Sequence, residues 1–414
     1  MELKTRRTLF YFLILVFVLA SAYLLVTAQG LVLDFKNLKI TGTGGLFLKY
    51  IPPDATVELN GKKTEVSPGL ISSGIFIPKL APGEYRIRIS KPGFSAWEKT
   101  FKVENGAVVS ASQIRLWPEI WDLSVIATSS VRDFWLTGAG LILQGKDGTL
   151  RLDGFSLGNK NIALSRPDSS LIITADGKDR FVTNLEDLSP ATNIAGLFNS
   201  LKQSQLNLSG TVIPKNYFLH PFNAKILITT GNALYSLDLV RSRLEKLADM
   251  AGIDKAELKG NEMFLIDTKD NLTVFNLFLQ TVRIYESTST EAIGIKANLE
   301  GLPAPDGKKV FLLSKKDTLS LKTLEDYYAD GEVKKGDIWP VFSDRGNIRD
   351  FEWLSGNPNY ALTLTEEDLF VVETDRRAPQ NVRLVSQGVG KFAVEGNELY
   401  ILKTDGTLLK TSLK

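Results

Sequence analysis

The chain has 414 residues, 43% of them hydrophobic and 23% charged, with 49 basic against 47 acidic side chains and a net charge of +2. That length suits two or three domains with a sizeable core, and the balanced charge leaves no basic field for gathering nucleic acid. The chain has no cysteine and one histidine, His220, which excludes disulfides, thiolate catalysis, cysteine-held zinc and multi-histidine metal sites.

In chain order, the first signal is MELKTRR followed by LFYFLILVFVLASAYLLVTA, Leu9 to Ala28. Twenty uncharged, mostly apolar residues match a roughly 30 Å hydrocarbon core when helical. Lys4, Arg6 and Arg7 precede the run and few charges follow it closely, so the positive-inside rule predicts a cytoplasmic stub (1–8), a transmembrane signal-anchor helix (9–28) and an extracytoplasmic remainder. The run exceeds the usual 7–15 residues of a signal-peptide core, which favours a retained anchor over a cleaved leader.

Residues 46–116 follow a different pattern. Asn60-Gly61 marks a tight hairpin, because both turn positions need positive φ. Pro82-Gly83 turns the chain into Tyr85-Arg86-Ile87-Arg88-Ile89, where apolar and charged residues alternate as in a strand buried on one face. Pro92-Gly93 turns it again, and Trp97 to Val103 alternates once more, giving a small antiparallel β-sandwich. Pro53-Asp54-Ala55-Thr56-Val57, Asn60-Gly61, Ser67-Pro68, Ala81-Pro82-Gly83-Glu84-Tyr85 and Gly93-Phe94 together resemble the PEGA domain. The resemblance implies a surface or envelope module, commonly carried on a membrane anchor and without enzymatic activity; the Gly, Pro and Asn residues shape turns only.

From 117 to the end the chain repeats itself. GNEMFLIDTKDNLTVFNL, from Gly260, aligns without a gap to GNELYILKTDGTLLKTSL, from Gly396. The same unit of strand, polar turn and strand recurs seven times, turning at Asp147-Gly148, Asp176-Gly177, Gly231-Asn232, Asp270-Asn271, Lys316-Asp317, Glu367-Asp368 and Asp405-Gly406. The spacing averages about 43 residues, the length of a propeller blade. APDGKKVFLL, Ala304 to Leu313, resembles the turn-and-strand motif of TolB-type propeller repeats, and SRPDSSLIIT and LHPFNAKILIT are weaker versions. The expected fold is therefore all-β after the anchor: a PEGA-like sandwich, then a seven-bladed β-propeller over 117–414. The last repeat ends with the chain and lacks an outer strand, so Pro118–Ala127 is expected to supply it beside Thr407–Leu413.

Two connections are long. Ser189–Gly210 carries Ile194, Leu197, Phe198 and Leu201 at helical spacing, which predicts a helix, either packed on the propeller rim or standing out as a partner-binding protrusion, with the packed helix favoured. Leu321–Asp344 carries Tyr327, Tyr328 and Trp339, which either offer a binding surface or pin the loop.

No nucleophile elbow, phosphate loop, metalloprotease histidine pair or calcium loop is present, so no catalytic, cofactor or metal residue is assigned. His220 precedes a proline and reads as a turn residue. The acid clusters Glu366, Glu367, Asp368 and Asp267, Asp270 lie at hairpins. The expectation is a non-catalytic, membrane-anchored scaffold with an envelope protein as partner and no nucleic acid. The alternatives are a binder of cell-wall carbohydrate and, more remotely, a propeller hydrolase with paired carboxylates.

Overall fold

A computed structural model describes residues 3–28, 31–34, 39–64, 74–188, 190–221, 223–259, 262–286, 302–304, 308–328, 332–343, 345–354 and 356–413. Ser67-Pro68, the Pro305-Asp306-Gly307 turn and Gly260 lie outside them. Strand accounts for 57% of the described residues. The chain divides into two compact units, one of Met1–Trp121 with Pro303–Val385, the other of Asp122–Leu302 with Ser386–Lys414.

The first unit opens with helix α1, Leu3–Ala28. Among the described residues no helix is long and apolar enough to cross a membrane. The transmembrane anchor expected over Leu9–Ala28 is thereby corrected. With it falls the single-pass placement, which put residues 1–8 in the cytoplasm and the rest outside.

A β-sandwich follows in the same unit. Its three-stranded sheet has Gly44–Ile51 in the centre, antiparallel to Ile75–Leu80 and parallel to Val108–Arg115. The other sheet runs Lys62–Lys63, Thr56–Leu59, Gly83–Lys91, Phe94–Val103. Both residues of the Asn60-Gly61 turn have positive φ (50° and 77°), as a two-residue hairpin requires. Side chains alternate as the period of a strand dictates: Ile87 and Ile89 are buried while Arg86 and Arg88 are exposed. Leu46, Leu48, Val57, Trp97 and Phe101 complete this core.

Apart from two two-stranded pairs, Leu31–Asp34 with Lys39–Gly42 and Tyr327–Tyr328 with Glu332–Val333, the rest of the strand content among the described residues is seven four-stranded sheets. The first is Val131–Thr137, Gly140–Gly145, Thr149–Leu152, Phe155–Asn159, and the second Asn161–Leu164, Leu171–Asp176, Asp179–Asn184, Thr192–Asn193. The third is Asn216–Leu219, Lys225–Thr229, Ala233–Asp238, Arg243–Asp249, and the fourth Ile253–Lys259, Glu262–Asp267, Leu272–Asn276, Thr281–Tyr285. The fifth is Leu302–Pro303, Lys309–Lys315, Thr318–Thr323, Ile338–Phe342, and the sixth Asp350–Leu354, Asn357–Leu364, Leu369–Glu373, Val382–Ser386. The seventh is built from both ends of its unit: Val389–Glu395, Glu398–Lys403 and Leu408–Ser412, with Ser124–Ala127 antiparallel to the last of these, Ser124 opposite Lys410.

In the second unit the sheets stack face to face, as blades do. Apolar clusters join the seventh sheet to the first (Phe134, Tyr400, Leu408), the first to the second (Ile142, Leu150, Ile172), the second to the third (Ile173, Ile228, Tyr235) and the third to the fourth (Leu227, Leu234, Leu265). Each sheet has two apolar faces and cannot bury them alone, so stacking is what stabilises it. Helix α2, Ile194–Leu206, sits in the second-to-third cluster through Ile194 and Phe198. Asn193 caps it by accepting from the Gly196 N–H at 2.8 Å.

Candidate functional site

In the first unit the sandwich is fused to the sixth sheet through buried charge and tryptophan. Phe94–Val103 is an edge strand, and Trp97, Lys99, Phe101 and Val103 share its buried face. Its outward backbone edge is covered rather than open: the Thr100 N–H donates to the Ala378 carbonyl at 2.8 Å, and Asn381 and Arg383 donate to the carbonyls of Glu98 and Ala96. Lys99 has a fully buried side chain, and Glu373, at 4% exposure, faces it at 3.1 Å. Lys99 also donates to the carbonyls of Asp375 and Arg377, at 3.2 and 2.6 Å. Glu373 accepts from Trp97 Nε1 at 2.8 Å and from Asn381 at 2.7 Å.

These partners determine the charges. Burial pushes the Glu373 carboxyl up, and the Lys99 ammonium offsets this only in part. Burial also acts to raise Asp375, but the fork of Arg377 and the charge of Lys99 outweigh it and hold that carboxyl below its ordinary value. Arg377 lies over the Phe101 ring, 4.2 Å from its centre. Beside this network Tyr360, fully buried, accepts from the Arg115 N–H at 2.8 Å, Trp117 packs edge-on to its ring, and Trp121 donates to the Leu384 carbonyl at 3.1 Å.

A cavity of about 210 Å³ opens next to the network. Its lining includes the strand edge Ser110–Ile114, Trp339, Asn359 and the run Glu373–Arg377. Asn359 reaches the Ser112 carbonyl at 3.2 Å and Gln113 Oε1 at 3.4 Å.

Of the three aromatics singled out in the long connection, Trp339 is in this lining, and its indole donates to the Thr374 carbonyl at 3.3 Å. Tyr327 and Tyr328 form a two-residue strand paired with Glu332–Val333 and are not part of the lining. The hairpin acids serve their turns. Asp267 accepts from the N–H groups of Lys269 and Asn271, both at 2.8 Å, and Glu366 accepts from Asn347 at 2.9 Å. His220 is buried, and desolvation with Lys225 and Arg166 nearby lowers its pKa to about 4.

Two groups were missed in the sequence. One is the Lys99–Glu373 pair, although a lysine in register with Trp97, Phe101 and Val103 is a signal for a buried charge. The other is Glu352, two positions after Asp350 on one face of a strand; burial and the Asp350 charge raise it to about 7. Among the described residues no group of three or more potential ligands could hold a metal ion.

Residues 43–116 match the family model of the PEGA domain. No curated protein matches the chain in sequence. Among solved structures, the β-propeller domain of Cps50 (Swd1) from Myceliophteria thermophila is similar over 72% of this chain and 100% of that chain, at 11% identity and a TM-score of 0.38. BamB from Moraxella catarrhalis is similar over 70% of this chain and 99% of that chain, at 9% identity and 0.38. Dihydro-heme d1 dehydrogenase NirN is similar over 68% of this chain, which spans 66% of that one, at 12% identity and 0.38. At such identities nothing about ligand or activity passes to the present chain. Its own strand order and shared clusters are those of β-propeller blades, a fold consistent with a binding or scaffold platform.

Proposed function

We propose that the chain is a non-catalytic interaction protein whose PEGA-like sandwich and sixth sheet present one fixed surface to a protein partner. The observation that carries this is the use to which the charged residues around the 210 Å³ cavity are put. Lys99, Glu373, Asp375 and Arg377 bind each other and backbone carbonyls, leaving a polar strand edge at Ser110–Ile114 as the recognising surface. Strand edges and small polar side chains recognise protein main chain well. The full chain, immobilised and exposed to extract from its own cells, is expected to retain a stoichiometric partner. Gln113→Ala/Asn359→Ala is expected to lower that retention at least tenfold. Retention indifferent to the double variant would overturn the assignment to this cavity.

One observation favours a second reading, glycoside hydrolysis. Glu352, raised to about 7 beside Asp350, has the protonation expected of a general acid. Turnover of glycosides by the full chain that Glu352→Gln abolishes would replace the non-catalytic reading.

A further inference from the structure

The seam between the first and second sheets changes character along its length. On Gly140–Gly145, Leu141 and Leu143 pack toward the seventh sheet, so Ile142 and Gln144 share the face turned to the second. On Leu171–Asp176, Leu171 and Ile173 pack toward the third sheet, leaving Ile172, Thr174 and Asp176 on the face turned back to the first. The seam is apolar at Ile142, Leu150 and Ile172, then becomes polar at Gln144 and Thr174.

That polar end is not explained by the fold. Gln144 is 8% and Thr174 3% exposed, yet among the described residues each has only a marginal contact: Gln144 Nε2 to the Gly148 carbonyl and Thr174 Oγ1 to the Phe181 carbonyl, both at 3.5 Å. A buried amide with four hydrogen-bonding positions is normally satisfied. Both residues line a groove of about 570 Å³, within the roughly 300–1,000 Å³ range of ligand pockets. Around it stand Arg132, Asn159, Lys160, Asn161 and Asp176. Among the described residues, none of these five side chains has a hydrogen-bond or ion-pair partner. Phe181, in register with Thr174, gives the groove an aromatic wall.

The geometry points to a saccharide site in this groove, with an acidic sugar as its ligand. Amides donate to and accept from neighbouring hydroxyls at once, and a carboxylate accepts from two of them, which matches a sugar ring's diols. A phenyl face accommodates the ring's C–H surface. Two cations against one carboxylate leave a positive balance, and Arg132 supplies the planar fork that suits a sugar carboxylate. The site lies wholly in the second unit and does not depend on the protein-partner reading of the first.

Titration calorimetry of the full chain tests it, with three probes: a glucuronate-containing disaccharide, the same disaccharide with the carboxyl reduced to an alcohol, and a short glutamate peptide of equal charge. The acidic disaccharide is expected to saturate one site, with the neutral form at least tenfold weaker and the peptide showing no saturation. Arg132→Ala and Asn161→Ala, both at exposed positions, are expected to weaken the acidic disaccharide at least tenfold with unchanged melting temperature. Gln144→Met, which keeps the volume, should do the same. No saturable binding of the acidic disaccharide, binding indifferent to Arg132 and Asn161, or equal binding of the peptide would overturn the proposal.

Discussion

Lys99 and Glu373 show how one buried pair makes a demand on both its partners. Neither ion can be left alone in a dry site, so removing one strands the other. Lys99→Met is expected to cost about 3–5 kcal/mol by that reasoning, read by chemical denaturation. Lys99→Met/Glu373→Gln keeps an acceptor for Trp97 and should cost less than the two single changes combined, by at least about 1 kcal/mol. Simple additivity in the cycle would show that the two charges are not coupled. Glu352 is a separate case. Its folded pKa of about 7 stands above the ordinary 4.5, so the folded state holds the proton more tightly than the unfolded chain. Its favourable contribution is complete below about pH 4.5 and is lost as pH rises through 7. The shift is worth at most about 3 kcal/mol, and roughly half that after allowance for partial exposure. Glu352→Gln should therefore melt higher than wild type at pH 8 and match it at pH 4.5. Equal melting differences at the two pH values would refute the assignment. Of these residues only Lys99 left a trace in the sequence, by its place on an otherwise apolar strand face. Trp97 and Glu373 stand 276 residues apart, and no local pattern links them.

At the scale of the element, the hairpins were the most readable feature. The repeating turn found in the sequence is the one between the second and third strands of each sheet, as at Asp147-Gly148 and Asp176-Gly177. The second strands are apolar runs, and turns such as Asp147-Gly148, Asp176-Gly177 and Asp270-Asn271 hold residues at positive φ, so periodicity and turn chemistry agree there. Fourth strands are more exposed than the second and third, and can be only two residues long, as at Thr192–Asn193. They have no pattern of their own because the neighbouring strand, not their sequence, holds them extended. Gly406 shows how an element can depend on another sheet. It has φ of +92°, and a Cβ there would lie 2.8 Å from the Val131 carbonyl oxygen, while the Val131 N–H donates to the Gly406 carbonyl at 3.1 Å. Gly148, at φ +82°, has nothing within 4 Å. Gly406→Ala is expected to cost about 1–3 kcal/mol more than Gly148→Ala, and to speed hydrogen exchange at the Val131 amide. Equal costs would mean that backbone strain alone, not the approach of the two sheets, matters at this turn.

At the scale of the whole molecule, each unit is assembled from two stretches of chain. The first takes residues 1–121 and 303–385, the second 122–302 and 386–414. Linear reading placed a boundary near 117, between sandwich and repeats, and that boundary marks a change of strand pattern. It could not place the sixth sheet with the sandwich, because the pairing rests on Trp97, Lys99, Tyr360 and Glu373, which meet only after folding. The seventh sheet is similar: Ser124–Ala127 joins strands near the other end of the chain. An incomplete last repeat can signal that a strand is owed, but only the register shows that Ser124 meets Lys410. The apolar run at the N-terminus taught the opposite lesson, since its composition suggested a membrane span that the structure does not support. By itself the sequence determined strands, turns, repeat length and the PEGA-like module, all products of side-chain period and backbone preference within a few neighbours. The tertiary structure alone decided which charges are buried together, where the blade seam turns polar, and which distant stretches form one unit. Those depend on packing between surfaces far apart in the chain, and a short-range pattern carries no record of them.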